Sequence, residues 1–298
     1  MHPLNRKLVR DLWQMRSQAA AIALVIACGI GAFVMSLSTL ASLQLTQATY
    51  YEQFRFADVF ASLKRAPQAL ERRIAQIPGV AQVQTRVVVD VNLDVEGLPE
   101  PAVGRLISIP DDEPPALNRL YLRRGRYPRP RAGHEALVGE AFAQAHGLEL
   151  GDRVRAIING RLDELILVGV ALSPEYVLQM RQGQVLPDPQ RFGVFWMRRE
   201  ALAAAYDMEG AFNDVTLALA PGASEAQVIE RLDELIEPYG GIGSYGREDQ
   251  LSHRYLSDEI KQLRAMGLIA PSIFLSVAAF LLNVVVSRLI GTQREQIA

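Results

Sequence analysis

The chain has 298 residues, which is enough for one large domain or for two ordinary ones. Its 31 basic and 33 acidic side chains nearly balance, which argues against a nucleic-acid-binding protein with a dominant basic face. The apolar residues are distributed unevenly, because two long stretches, one near each end of the sequence, carry no charged side chain. The class of protein depends on what these two stretches are.

The first uncharged stretch runs from Ser17 to Tyr51 and includes the almost purely apolar segment Ala19–Leu40. A helix needs roughly 20 apolar residues to cross a bilayer, so the stretch predicts a transmembrane helix over residues 19–41. A cleaved signal peptide is disfavoured, since its apolar core spans only about 7–15 residues. The amphipathic segment 1–18 before the helix is basic, and its positive charge predicts a cytoplasmic location.

The second uncharged stretch predicts another transmembrane helix over residues 265–287. Arg288 and Arg294 follow it, so both ends of the chain are expected in the cytoplasm and residues 42–264 on the outside. In a bacterium the outside is the periplasm. The single cysteine, Cys28, lies in the first transmembrane helix, so the external domain has no disulfide and depends on its own hydrophobic core.

The segments next to the two membrane helices, residues 42–56 and 247–264, have apolar residues at spacings of three and four. Such spacings are typical of amphipathic helices. We therefore expect each membrane helix to continue as a stalk, and the two stalks to pack against each other. The apolar positions expected to form this stalk contact are Leu43, Tyr51, Leu256, Ile260 and Leu263.

Residues 57–103 and 207–246 share one pattern, a strand followed by a helix and then a second strand. Asp58-Val59 and Asp214-Val215 occupy matching places in the two segments. Two β-α-β units that share one sheet form a ferredoxin-like sandwich, so the sequence predicts a porter-like unit made from both segments.

The middle of the external domain, residues 104–206, begins with a segment rich in proline, glycine and arginine, which indicates loops and turns. The stretch "EALVGEAFAQAHG" predicts a short amphipathic helix, and Asn159-Gly160 predicts the turn of a β-hairpin. "RFGVFWM" predicts a further strand. This segment is expected to be a smaller, β-rich insertion subdomain, and the fold class is therefore α+β.

The sequence offers little chemistry. "GGIGSYG" is rich in glycine but lacks the Lys-Ser/Thr of a phosphate-binding loop. The four histidines lie far apart without ligand-like partners, and neither membrane helix carries a charge that a pore or proton path would need. We therefore expect no catalytic residue, no cofactor site and no metal site in this chain.

A cluster of arginines between Arg119 and Arg131 has two interpretations. It forms a surface for anionic lipid or an acidic partner, or it is a solvated loop edge balanced by nearby carboxylates. The second interpretation is favoured, because charge runs usually face solvent. The carboxylates expected to balance the cluster are Asp111, Asp112 and Glu113.

The order of elements and several stretches resemble the FtsX/MacB-like permeases of ABC transporters. These stretches are "IPGV", "GRYPRPRAGHEALVGEAFAQAHGLELGDRV", "INGRLDELILVGV" and "IFLSVAAFLLNVVVSRLIGTQREQIA". The resemblance implies an inner-membrane protein with a periplasmic porter-like domain and a β-rich insertion. It implies no enzyme activity in this chain, since ATP and Mg²⁺ bind to a separate cytoplasmic ABC ATPase.

The resemblance also implies a mechanism, called mechanotransmission, in which the stalk helices relay the movement of the ATPase to the external domain. The implied substrate is a lipid, lipoprotein, peptide or drug. Besides the ATPase, the implied partners are a second permease copy or half, a periplasmic adaptor protein and membrane lipid, and no nucleic acid.

The last segment, residues 288–298, resembles the family's coupling segment, which contacts the ATPase. The residues assigned to this contact by the resemblance are Gln293, Arg294, Glu295 and Ile297. Members of the family have at least four membrane helices per permease and this chain has two, so we expect it to be the N-terminal part of a longer protein or a truncated product.

Two other classes stay open at this stage. A two-helix sensor or receptor with a ligand-binding external domain predicts a signalling module after the second membrane helix. An envelope adaptor predicts that the external domain regulates a cell-wall enzyme. An enzyme is the least favoured class, because no convergent set of catalytic residues is present.

Overall fold

The computed structural model describes residue 13 and residues 16–95, 101–181, 183–184 and 186–297, without the side chains of residue 289 and residues 291–297. The chain divides into a helical unit, Met1–Gln47 with Ser257–Ala298, and an external domain, Ala48–Leu256. Each is described by itself.

Within the described residues, the helical unit consists of parts of two long helices, α1 (Arg16–Gln53) and α6 (Leu251–Ile297). Both contain a segment that is long and apolar enough to cross a membrane. The two helices approach closely at glycines: a methyl group added to Gly29 would lie 3.2 Å from Leu275 Cδ2, and one added to Gly267 would lie 3.0 Å from Ser36 Cβ. Small residues at these positions therefore allow the contact.

The residues expected at the stalk contact differ in burial. Ile260 is buried, but Leu43 and Leu263 keep 39% and 49% of their surface exposed. In the external domain, Tyr51 is buried and Leu256 is half-buried.

The first sheet of the external domain has the strand order β11-β1-β10-β2, and all neighbouring strands are antiparallel. Helices α2 and α5 cover one face, where their apolar residues share a single core with β1 and β10. This is the ferredoxin-like arrangement of two β-α-β units, as the sequence predicts. The elements are β1 (Val59–Pro67), α2 (Leu70–Ala75), β2 (Val80–Arg86), β10 (Ala211–Leu219), α5 (Glu225–Ile236) and β11 (Ser244–Gly246).

The second sheet has seven strands in the order β5-β8-β6-β9-β4-β3-β7, and β7 also pairs with β8. Six strands therefore close into a small barrel, and β5 adds to its outer side. The barrel interior holds its own apolar core, to which all six strands contribute. The strands are β3 (Val88–Asp94), β4 (Ala102–Ile109), β5 (Tyr121–Gly125), β6 (Glu135–Gly139), β7 (Arg153–Ile158), β8 (Arg161–Leu172) and β9 (Phe192–Arg198).

The β-rich insertion begins earlier than the expected boundary at residue 104. β3 lies within the segment predicted as the first porter-like unit, but it pairs with β4 and β7 of the barrel. The chain passes from one sheet to the other near Val87, whose N–H donates to Ser108 Oγ at 2.8 Å. No turn residue marks this passage, so the alternating pattern continues across it and hides the boundary.

Inside the insertion, one prediction was half wrong and another is confirmed. Residues 135–139 of the expected helix form strand β6, and only Glu140–His146 is helical, as α3. β6 lacks an alternating pattern because all five of its residues are buried between β8 and β9. The hairpin of β7 and β8 turns at Asn159-Gly160, where both φ angles are positive (47° and 76°). A further helix, α4 (Arg199–Ala205), follows β9.

Candidate functional site

The face of the four-stranded sheet that α2 and α5 leave uncovered receives the roots of the two long helices. We call the buried polar network at this place the root junction. All of its residues belong to the external domain. Its members are Arg86, Asn118, Glu175, Asp214 and Gln250.

The root of α1 ends in a defined cap. The N–H of Phe56 donates to the carbonyl of Tyr51 at 2.9 Å, and the N–H of Arg55 donates to that of Glu52 at 3.2 Å. Arg55 has a φ of 50°, and the rings of Tyr51 and Phe56 lie 4.6 Å apart. These features form a Schellman motif with its usual apolar contact, so the helix ends at a fixed point.

An aromatic layer joins this cap to the sheet and to the root of α6. Phe56 lies beside Phe60 of β1, and the guanidinium of Arg247 lies 5.0 Å from the centre of the Phe56 ring. Arg247 Nε also donates to the carbonyl of Ala57 at 2.9 Å. Tyr51 Oη and His253 Nδ1 are 3.1 Å apart, so side chains from both helix roots meet within this layer.

Asn118 connects the α1 cap to the buried charges. Its backbone N–H donates to the carbonyl of Arg55 at 2.9 Å, and its Oδ1 accepts from the N–H of Ala57 at 2.9 Å. Its Nδ2 donates to Glu175 Oε2 at 2.9 Å. The residue is buried and has a φ of 49°, a conformation that asparagine adopts more readily than most residues. Backbone geometry and side-chain bonding therefore both favour asparagine here.

Arg86, at the end of β2, lies between two buried carboxylates. Its Nε donates to Asp214 Oδ1 at 2.7 Å, and its Nη2 donates to Glu175 Oε1 at 3.0 Å. The exposed fractions of the Arg86, Glu175 and Asp214 side chains are 4%, 7% and 13%. One guanidinium thus balances two carboxylates in a region of low dielectric constant.

The pKa directions agree with this geometry. Burial alone would lower the pKa of Arg86, but the charges of Asp214 and Glu175 outweigh it and raise the pKa well above its ordinary value. Burial raises the pKa of Asp214, and Arg86 offsets that rise only in part because Glu175 shares the same cation. The guanidinium is therefore permanently charged, and Asp214 is protonated more easily than an ordinary aspartate.

Glu175 belongs to a segment, Ser173–Met180, that we call the strap. The strap leaves the barrel after β8 and is tied to the root of α6 at two places. Gln250 Nε2 donates to the carbonyl of Glu175 at 2.7 Å, and the N–H of Leu178 donates to Ser252 Oγ at 2.9 Å. Tyr176 packs into the apolar cluster on the outside of the barrel. The strap therefore links α6 to the barrel.

The root junction joins four parts of the external domain: the roots of α1 and α6, the four-stranded sheet and the barrel. Removing one partner of such a buried ion pair leaves an uncompensated charge and costs about 3–5 kcal/mol. A movement of one part must therefore carry the others along or break this network. The arrangement is suited to transmitting force, and it places no nucleophile or acid–base pair in an open cleft.

Four of the six arginines in the cluster at residues 119–131 pair with carboxylates, but with others than those expected. Arg126 and Arg129 both bind Glu135, at 2.6 and 2.8 Å, and Arg123 pairs with Glu140 at 3.2 Å. The hydrogen bond from Arg126 is the largest of the causes that lower the pKa of Glu135 to about 2. Asp111, which was expected to balance the cluster, instead accepts from the N–H of Glu200 at the start of α4.

Of the site residues predicted from the sequence, one lies beside the root junction and four have side chains outside the described residues. Tyr51 contributes to the aromatic layer of the junction, whereas the side chains of Gln293, Arg294, Glu295 and Ile297 lie outside the described residues. Among the described residues, no group of three or more histidine, cysteine, aspartate or glutamate side chains is arranged to hold a metal ion.

Sequence reasoning missed the root junction, although one signal was present. The matching places of Asp58 and Asp214 in the two β-α-β units mark residues that both bind an arginine, Arg247 and Arg86 respectively. The other members lie far apart in sequence, and only the fold brings them together.

Comparison with known proteins gives matches among solved structures only. No protein-family model and no curated protein matches the chain. The extracellular domain of YknZ, a noncanonic ABC-type transporter from Gram-positive bacteria, matches at 12% identity and a TM-score of 0.39, over 64% of this chain and 98% of that one.

Two further solved structures match at a similar level. The periplasmic region of MacB from Actinobacillus actinomycetemcomitans has 10% identity and a TM-score of 0.40, over 71% of this chain and 95% of that one. A domain of a permease-type protein from Porphyromonas gingivalis has 15% identity and a TM-score of 0.35, over 62% and 81%.

Proposed function

We propose that this chain is the permease subunit of an ABC transporter and relays movement from a cytoplasmic ATPase to its external domain by mechanotransmission. The observation that carries the proposal is the root junction, where one buried network ties both helix roots to both β subdomains. Such a network suits a domain in which movement of the helix roots shifts the two β subdomains.

The helices themselves suit this role. The helical backbone of α1 is unbroken from Arg16 to Gln53, and that of α6 is unbroken from Leu251 to Ile297 with Pro271 inside it. A hydrogen-bonded helix transmits displacement along its axis with little loss, because successive turns are held by backbone bonds, of which Pro271 removes one in α6. The cap at Arg55 and the ties at Gln250 then pass this displacement to the sheet and the strap.

In this proposal the ATPase binds ATP and Mg²⁺ and docks on Gln293, Arg294, Glu295 and Ile297. A second permease copy or half completes the membrane part, and a periplasmic adaptor receives the substrate. The substrate is a lipid, lipoprotein, peptide or drug that is exported or extracted through the external domain. The chain acts in the bacterial inner membrane with both ends in the cytoplasm.

The partner is tested by co-purification of the tagged chain with a candidate ABC ATPase. We expect the Arg294→Ala, Glu295→Ala variant to lose the ATPase and the Gln250→Ala variant to keep it. In proteoliposomes the Gln250→Ala complex is expected to hydrolyse ATP while transport falls, since one of the two hydrogen bonds that tie the root of α6 to the strap is lost. A matched control is Arg153→Ala, which removes an exposed ion pair on the barrel.

Two outcomes would overturn the proposal. Transport by Gln250→Ala at the rate of the unmodified chain would show that the root junction transmits nothing. Retention of a cell-wall hydrolase by the full chain, with no ATPase bound, would favour the envelope adaptor instead.

A further inference from the structure

We propose that the cleft between α2 and the outer edge of β2 binds an extended, acidic peptide segment of a partner protein, which adds a strand to the four-stranded sheet. We call this place the edge cleft. The inference is independent of the proposed transport function, because it rests on the open edge of one strand and on the side chains beside it.

The strand β2 lies at one edge of its sheet, next to β10. The carbonyl of Leu217 in β10 accepts from the N–H of Asp58, just before β1, so the backbone groups of Leu217 point towards β1. Val83 of β2 lies opposite Leu217 in the antiparallel register. Because opposite residues either bond to each other or both point away, the N–H and C=O of Val83 point outwards from the sheet.

The open part of this edge is short. Backbone groups alternate along a strand, so the carbonyl of Thr85 also points outwards, and Arg199 of α4 donates to it at 2.7 Å. The register with β10 shifts at Ala81, which marks the other end. Ala81 is exposed and Val83 is half-buried, and among the described residues no hydrogen bond outside the ladder with β10 involves either of them. An added strand would therefore pair around Val83.

The other edge strands of the two sheets are protected. β11 has only three residues, and β5 carries Arg123 and Arg124 together with a shift in register. Short length, charges and irregular register are the usual ways to prevent the addition of a strand. The open part of β2, residues 80–83, carries no charged side chain. This edge therefore accepts an added strand more readily than the others.

The helix α2 runs beside this edge and completes a cleft of about 640 Å³. Small apolar side chains line it on both sides: Ala69 and Ala75 from the helix segment, and Ala81 and Val83 from the strand. They leave room for the alternate side chains of an added strand. A helical guest has its backbone groups bonded internally, whereas an extended guest pairs with the outward groups of Val83. The cleft therefore selects an extended segment.

The charged groups of the edge cleft favour an acidic guest. The residues that line it include one carboxylate, Glu71, and one guanidinium, Arg72. Glu71 Oε2 accepts from Thr85 Oγ1 at 3.0 Å and from Gln68 Nε2, at the closed end of the cleft. Arg72 is exposed and forms no ion pair with another described residue. Its donors are therefore available to a carboxylate of the guest.

A second copy of the chain suits this edge less well than a different partner. Two β2 edges paired about a two-fold axis would bring the α2 helices of both copies side by side, with their Arg72 side chains towards each other. Like charges placed in this way oppose association, whereas an acidic segment complements them. The guest is therefore a partner protein that offers an extended stretch with apolar residues and an aspartate or glutamate.

The edge cleft is tested with a display library of random heptapeptides, selected on the full chain in lipid nanodiscs. Val83→Pro removes the outward N–H, and Val83→Thr keeps it as the matched control. We expect the selection to enrich peptides that alternate apolar and polar residues and contain an acidic one. They should bind the Val83→Thr chain as they bind the unmodified chain, and the Val83→Pro chain about tenfold more weakly.

Synthetic versions of one enriched peptide distinguish strand addition from other ways of docking. Each version carries a methyl group on one backbone nitrogen. Methylation at a residue whose N–H faces β2 should weaken binding by about tenfold, whereas methylation at its two neighbours should have little effect. This measurement uses the unmodified chain, so it does not depend on the folding of a variant.

Charge reversal tests the role of Arg72. Arg72→Glu is expected to weaken the acidic peptide by about tenfold and to strengthen binding of the same peptide with lysine in place of its acidic residue. Arg73→Glu is the matched control, because Arg73 is equally exposed but does not line the cleft. Its effect on either peptide should stay within about twofold.

The inference is overturned if no peptide prefers the unmodified chain to the Val83→Pro chain, or if methylation weakens binding equally at every position. Equal effects of Arg72→Glu and Arg73→Glu would overturn the acidic character of the guest. Self-association of the unmodified chain that Val83→Pro abolishes would assign the edge to a second copy instead. No ATPase is present in these experiments, so their failure leaves the proposed transport function intact.

Discussion

Arg86 and Arg126 each bind a buried glutamate, but the two clusters differ in what they connect. Arg86 is itself buried and joins the four-stranded sheet to the strap of the barrel through Glu175. Arg126 and Arg129 are 47% and 72% exposed, and with Glu135 they lie within a single stretch of the barrel. An arginine–carboxylate pair can therefore couple the movement of separate parts of the domain when it is buried and its partners come from different parts.

The largest expected effect comes from removing the central cation of the root junction. Arg86→Met leaves Glu175 and Asp214 buried without their partner and should lower the free energy of unfolding by about 3–5 kcal/mol. The fluorescence of the buried Trp196 in urea titrations would report the change. Arg126→Met is the matched control, and its effect should be about 1 kcal/mol because Arg129 still binds Glu135. Equal losses in the two variants would contradict the distinction.

Asn118 allows the side-chain and backbone contributions to be separated. Asn118→Gly keeps the left-handed backbone and removes two hydrogen bonds, one of them to a charged group, so we expect a loss of about 2–3 kcal/mol. Asn118→Ala removes the same bonds and adds a left-handed alanine, so its loss should be about 1 kcal/mol greater. Urea titrations of both variants in parallel give this difference. A glycine variant as stable as the unmodified chain would show that the two side-chain hydrogen bonds of Asn118 do not stabilise the domain.

The two clusters should also differ in their response to acid. Glu135 has a pKa lowered to about 2, so its contribution to stability is complete above its ordinary value of 4.5 and is lost as the pH falls towards 2. The ionisation of Asp214 affects folding stability in the opposite direction. Burial raises the pKa of Asp214, so its ionisation opposes folding, and its protonation at lower pH relieves this cost. We expect the stability lost as the pH falls below 4.5 to be about 1 kcal/mol smaller in Glu135→Gln than in the unmodified chain, as measured by thermal unfolding. An unchanged pH profile would contradict the lowered pKa.

The smallest effect is expected at the α1 cap. Arg55 holds a left-handed conformation that glycine adopts without strain, so Arg55→Gly should stabilise the domain by up to about 1 kcal/mol. Arg55→Ala serves as the control and should leave stability nearly unchanged. A destabilised glycine variant would indicate that the arginine side chain, rather than the backbone, holds the cap.

Much of the architecture could be predicted because it is encoded locally. The uncharged stretches predict the two apolar helices, and Asn159-Gly160 predicts the hairpin, since each signal lies within a few adjacent residues. The place of β3 in the barrel was not predicted, because the chain changes sheets at Val87 without a turn. The strand β6 was predicted as part of a helix, because burial on both of its faces removes the alternation of apolar and polar residues that identifies a strand at a sheet surface.

The root junction could not be predicted for a different reason. Arg86 and Asp214 are polar residues in strands, and strand alternation assigns them to a face without indicating what covers that face. Their partners Asn118 and Glu175 lie in connecting segments, whose paths depend on the packing of the whole domain.

In the proposed function, the root junction carries movement from the helices to the barrel. It is tested most directly by the distance between spin labels at Ile157→Cys on the barrel and Gln227→Cys on α5, in a Cys28→Ser chain bound to its ATPase. We expect this distance to change between the nucleotide-free and ATP-bound complexes, and the change to be lost in Asn118→Gly although ATP still binds. The same change in both chains would contradict the claim.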